Sequence, residues 1–180
     1  MEGKFQVRKV RSIGVPLDRK DKYFDFNLSQ LEGNEELKTL RQLARLLFFL
    51  PFEINKKISL NLQVSEHFTL SYFDHDHTFV KRRADSTFGK LDTGVKMTIV
   101  FSIGCKNATP LLKLYRQSET DVPNDEPLEQ IKLSQNTLVL FNSRAFEYEI
   151  ADASSKSIII MSTVPGPPSP PEQAGAAFQP

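Results

Sequence analysis

Between residues 58 and 164 apolar side chains alternate with polar ones in short runs, and each run stops before helical spacing develops. Val95 to Ile103 is the strongest, closing at Gly104. Ile58 to Val64 and Phe68 to Phe73 precede it; Leu111 to Tyr115, Leu128 to Leu133, Thr137 to Phe141, Ala145 to Ile150 and Ser157 to Val164 follow. A period of two puts alternate side chains on opposite faces, so each run offers one face to a core. Gln135-Asn136 is a tight turn between two of them. About eight or nine closely spaced strands predict stacked sheets, a double-layered jelly roll or sandwich.

The first third of the chain adds three elements. Phe5 to Val15 reads as an opening strand, and Phe24, Phe26 and Leu28 as a short extended segment. After Gly33, Asn34 caps a helix with Glu35 and Glu36 in its first turn. Leu37, Leu40, Leu43, Ala44, Leu47 and Leu50 recur at helical spacing opposite Lys38, Arg41, Gln42 and Arg45, and Pro51 ends the helix. The expectation is mainly β with one packed helix (about residues 35–50), a single domain over 1–164. Residues 165–180 are expected to form a disordered or polyproline-like tail, in which Pro165, Pro167, Pro168, Pro170 and Pro171 would offer a ligand for SH3- or WW-type modules.

Composition narrows the function. A net charge of +1 argues against a general nucleic-acid binder, although Lys4, Arg8, Lys9, Arg11, Arg19, Lys20 and Lys22 make the start locally basic. One cysteine, Cys105, rules out an internal disulfide and a multi-cysteine zinc site. No signal peptide is visible and no apolar run suffices for a membrane span, which points to the cytoplasm or nucleus. Glycines lack phosphate-loop spacing, and no histidine follows Cys105 to activate it. Phe24, Phe26, Phe48, Phe49 and Phe52 exceed what one early layer needs, so some are candidates for a groove or partner surface.

The histidines invite a metal reading. His75-Asp76-His77 places two imidazoles on one side of an extended segment, but Lys81, Arg82 and Arg83 occupy the stretch where a third, acidic ligand belongs. No histidine follows residue 77, so Asp85, Glu147 or Glu149 would have to complete a set. Equally, this is a polar loop, and His67 an ordinary strand residue.

Three stretches carry a resemblance: Phe79-Val80-Lys81-Arg82-Arg83-Ala84-Asp85-Ser86, Leu138 to Ile150 with Tyr148, and Lys156 to Val164. Together with the strand landmarks and the early helix, they resemble the 2-oxoglutarate/iron(II) oxygenases, in particular the prolyl-hydroxylase-like branch. The resemblance implies a double-stranded β-helix, with iron held by a His-x-Asp pair on an early core strand and a distal histidine near the seventh. It also implies Tyr72 and Phe79 as aromatics leading to the first ligands, and Lys156 as the base for the 2-oxoglutarate carboxylate. Three protein ligands leave iron open for cosubstrate and oxygen. Here Asp85 keeps its place, but Arg83 and Tyr148 fall where the histidines belong.

A guanidinium has no lone pair to donate and repels a cation, so Arg83 is expected to pair with Asp85 instead. A phenol ligates only after losing a proton with an ordinary pKa of about 10. The first expectation is therefore a non-catalytic relative, without cofactor, acting as a protein-interaction or scaffold domain. The alternative is an active dioxygenase using Fe(II) and 2-oxoglutarate, with His75 or His77 beside Asp85. A third is a plain β-sandwich module in which residues 83, 85, 148 and 156 scatter.

Overall fold

Strands dominate, as the alternation requires. The computed structural model describes residues 9–12, 15–18, 22–73, 80–86, 94–105, 109–117, 126–151 and 156–167. Strands β1 (Lys9–Ser12) and β2 (Val15–Asp18) pair as an antiparallel hairpin, where one strand over residues 5–15 was expected. Strand β3 is Lys22–Asn27, and single 3-10 turns at Leu28–Leu31 and Glu35–Leu37 lead into α1, Lys38–Lys57. Then follow β4 (His67–Phe73), β5 (Val80–Arg83), β6 (Val95–Cys105), β7 (Leu111–Arg116), β8 (Glu129–Lys132), β9 (Leu138–Asn142), β10 (Phe146–Ala151) and β11 (Ser157–Pro165).

Three details correct the sequence expectation. The Asn34 side chain does cap, accepting from the Glu36 N–H at 3.0 Å, but Pro51 does not end the helix. Proline inside a helix costs about 3 kcal/mol through its missing N–H and its clash with the preceding turn. Here its ring is buried with Ala44 and Leu47 on the packed face, and the chain stays helical to Lys57. Residues 58–66 form no strand. The Asn55 side chain donates to the Leu62 carbonyl (2.8 Å) and accepts from its N–H (2.9 Å), taking both groups a ladder would use. Finally, Lys81 to Asp92 reads along the chain as a charged connection, yet its first three residues belong to β5, and Pro165, expected to begin the tail, closes β11; residues 168–180 lie outside the described residues.

Two antiparallel sheets face each other, one ordered β3-β4-β11-β6-β9 and the other β5-β10-β7-β8. From β4 to β11 the chain crosses between them at every step except the β7–β8 hairpin, giving the winding of a double-stranded β-helix rather than of a plain sandwich. Alternation sorts the core into two layers. Ile159 and Met161 of β11 join Phe73, Val100, Leu112, Phe141 and Ile150 between the sheets. Ile160 and Val164 join Phe26, Phe68 and Ile99 against α1. Each large apolar side chain buried this way contributes about 1.5–3 kcal/mol. Asn136, with φ of 63°, makes the expected turn before β9. Among the described residues no helix is long and apolar enough to cross a membrane.

Candidate functional site

The second and seventh core strands, β5 and β10, lie side by side in the smaller sheet, with Arg83 directly opposite Tyr148. Asp85 follows β5 by two residues and turns back toward both. The structure therefore brings together Arg83, Asp85 and Tyr148, 65 positions apart at the extremes. The Asp85 carboxylate is 2% exposed and filled with donors. One oxygen accepts from Arg83 Nη2 at 2.5 Å and Nε at 3.2 Å, and from the Tyr148 hydroxyl at 3.4 Å. The other accepts from the Thr98 hydroxyl at 2.8 Å. Charge-assisted bonds of this kind are roughly twice as strong as neutral ones, which accounts for a carboxylate surviving burial. The Arg83 guanidinium also lies over the Tyr148 ring, 5.6 Å from its centroid, and Tyr148 packs on Phe141.

Side chains that the sequence did not single out support this cluster. Thr98 projects inward from β6 and exchanges a 2.8 Å hydrogen bond with Ser143. Gln117 Nε2 donates to the carbonyls of Ser86 (2.6 Å), Ser143 (2.9 Å) and Phe146 (3.3 Å), tying the segment after β5 to the turn before β10. No local pattern marks Thr98, Ser143 or Gln117, because their partners are remote in the chain. A pocket of about 400 Å³ opens beside the cluster, within the usual range for small-molecule clefts. Asp25, His67, Thr69, Met161 and Thr163 line it together with Arg83, Asp85, Thr98 and Tyr148. Thr69 donates to Asp25 across the β3–β4 ladder at 2.6 Å.

The other sequence candidates lie elsewhere. Tyr72 alternates with the inward Ser71 and Phe73, and so shares the helix-facing side of the large sheet with Phe68 and Leu70. Lys156 is exposed before β11; its neighbour Ser157 is the residue that turns into the buried interior, opposite Phe73. His67 is an exposed residue at the start of β4 and reaches the pocket rim. His75, His77 and Phe79 lie outside the described residues.

On the smaller sheet's outer face, Arg82 lies 4.0 Å over the Tyr115 ring and pairs with Glu147, and Lys113 pairs with Glu149 at 2.8 Å. Burial, then the hydrogen bond and charge of Glu149, raise the Tyr115 pKa, partly offset by Lys113 and Arg82. Burial lowers that of Lys96.

No family model matches the chain, and no curated protein sequence matches it significantly. Solved structures do. It is similar to a Pseudomonas putida prolyl-4-hydroxylase at 15% identity and a TM-score of 0.60, over 82% of this chain and 73% of that one. It is also similar to a Trichoplax adhaerens prolyl hydroxylase, solved with a hypoxia inducible factor oxygen degradation domain peptide fragment. There the identity is 17% and the TM-score 0.68, over 99% of this chain and 76% of that one. A Phytophthora capsici prolyl 4-hydroxylase matches at 17% identity and a TM-score of 0.51, over 81% and 48%. With the strand order, these likenesses identify the fold as the double-stranded β-helix jelly roll of the 2-oxoglutarate oxygenases.

The iron that such a fold implies does not fit the described residues around Asp85. Arg83 brings a fixed positive charge and no lone pair, and the Asp85 carboxylate already accepts from three side chains. Among the described residues no group of three or more His, Cys, Asp or Glu side chains gathers to hold a metal.

Proposed function

We propose that this chain is a non-catalytic relative of the 2-oxoglutarate/iron(II) oxygenase fold, kept as a protein-interaction or scaffold domain. The observation that carries the reading is the Arg83–Asp85 ion pair: the carboxylate that the resemblance assigns to iron is held by a guanidinium instead. A cation supplied by the chain itself balances the buried carboxylate permanently, so the pocket is stable without a cofactor. Thr98 and Tyr148 complete that balance as neutral donors. The proline-rich segment after β11 then serves as a tether or a ligand for modules that bind polyproline helices.

Anaerobic calorimetry tests this directly. Titration with Fe(II), with and without 2-oxoglutarate, is expected to show no binding at high micromolar metal. Tight, cosubstrate-enhanced binding that is lost in His75→Ala/His77→Ala and in Asp85→Ala would overturn the proposal in favour of an active dioxygenase.

A further inference from the structure

The face of α1 turned away from the sheet is apolar at its centre. Ala44, Leu47 and Pro51 pack inward, while Leu46, Phe49 and Phe52 are 70%, 55% and 49% exposed. Phe49 meets Phe52 ring to ring at 6.1 Å, so the side chains form a strip rather than isolated points. An exposed apolar strip with a charged rim is what a partner-binding surface looks like.

Its arrangement about Phe49 identifies the partner. Leu46 and Phe52 lie three residues to either side, and Arg45 and Glu53 lie four residues to either side; all are exposed on this face. A two-fold axis through Phe49 therefore sets Leu46 against Phe52 of a second copy and Arg45 against its Glu53, twice over. Parallel packing would oppose arginine to arginine and glutamate to glutamate. Like-charge contacts select against that orientation, and a residue pair repeated by symmetry is the mark of an isologous interface.

We propose that the chain self-associates through the outer face of α1, as an antiparallel helix pair centred on Phe49. Arg45 now reaches Glu32 at 3.7 Å and Glu53 holds Lys56 at 2.6 Å. Each of these four side chains is more than half exposed, so the contacts cost little to share with a second copy. Three apolar side chains per copy cover less than the roughly 800 Å² per partner of a standard interface, so the dimer has about micromolar affinity.

This names a partner for the interaction role proposed above, on the opposite side of the large sheet from Arg83 and Asp85. Calorimetry reports on the pocket and sedimentation on this face, so either reading can fail alone. Analytical ultracentrifugation of the wild-type chain from about 1 to several hundred micromolar is expected to show a monomer–dimer equilibrium. Phe49→Lys removes it, with an unchanged circular dichroism spectrum because Phe49 packs mainly at the surface. Arg45→Glu and Glu53→Arg each weaken the dimer about tenfold, and the double exchange restores it to within a few-fold. Phe49→Cys, in a Cys105→Ser background, cross-links to itself on oxidation. A wild-type monomer throughout, a dimer indifferent to Phe49→Lys, or a double exchange as weak as the single ones overturns the proposal.

Discussion

Thr98 and Asp85 join the two sheets: a hydroxyl on β6 of the large sheet donates to a carboxylate after β5 of the small one, over 2.8 Å. Thr98 is fully buried and also bonds Ser143, so one hydroxyl spans both layers at the pocket floor.

Thr98→Val keeps the shape and deletes that hydroxyl. Leaving a buried acceptor without its donor costs about 1–3 kcal/mol. Urea unfolding of Thr98→Val, Ser143→Ala and the double variant measures the loss, and the residues are close enough for coupling of about 0.5 kcal/mol or more. Strict additivity would show that the Thr98–Ser143 contact contributes nothing.

Arg83→Met leaves the buried Asp85 carboxylate short of its cation. Removing one partner of a buried pair costs about 3–5 kcal/mol, reduced to about 2 kcal/mol here because Arg83 is partly open to water. Arg83→Met/Asp85→Leu is expected to regain most of it, since two apolar groups need no pairing. Thermal unfolding of the three proteins decides the matter: a single variant as stable as wild type means the pair does not hold the pocket together.

Arg83→His/Tyr148→His places two histidines beside the Asp85 carboxylate. Because residues 83 and 148 stand opposite each other on adjacent strands, the variant is expected to bind Ni(II) or Zn(II) with about micromolar affinity or better, and far more tightly than wild type does. A folded double variant with no metal affinity would show that the three positions converge without forming ligand geometry.

Tyr115 makes stability sensitive to alkali. The folded protein holds its proton more tightly than the unfolded chain does, so this contribution is complete below the ordinary tyrosine pKa of about 10. It is lost as pH rises through the elevated folded value. Denaturation midpoints measured across that range should fall more steeply for wild type than for Tyr115→Phe, and identical slopes would rule the effect out.

Much of this architecture is legible along the chain. Strands β6, β7, β9, β10 and β11 are visible in the pattern, because a strand with one packed face alternates and a strand packed on both faces, such as β11, reads as a continuous apolar run. The misses are local patterns outbid by packing. Ile58 to Val64 alternates like a strand, yet Asn55 takes the backbone groups of Leu62 and the segment stays irregular. Pro51 looks like a stop, yet its buried ring keeps the helix going. Lys81 to Arg83 looks like a loop because its apolar neighbours are few, yet it supplies the strand on which the site is built.

The sequence by itself determined that a β-rich fold of stacked strands would form, since that depends only on residue type and spacing; that Arg83 and Tyr148 fall at an iron site's histidine positions is what the resemblance implies. Only the tertiary structure decided how these residues meet. That Arg83 faces Tyr148, that Asp85 is filled by donors from β5, β6 and β10, and that Ser157 rather than Lys156 turns inward all depend on strand register. A slip of one residue would turn each of these side chains to the other face, and the paired strands lie far apart in the chain, so no single segment contains that information.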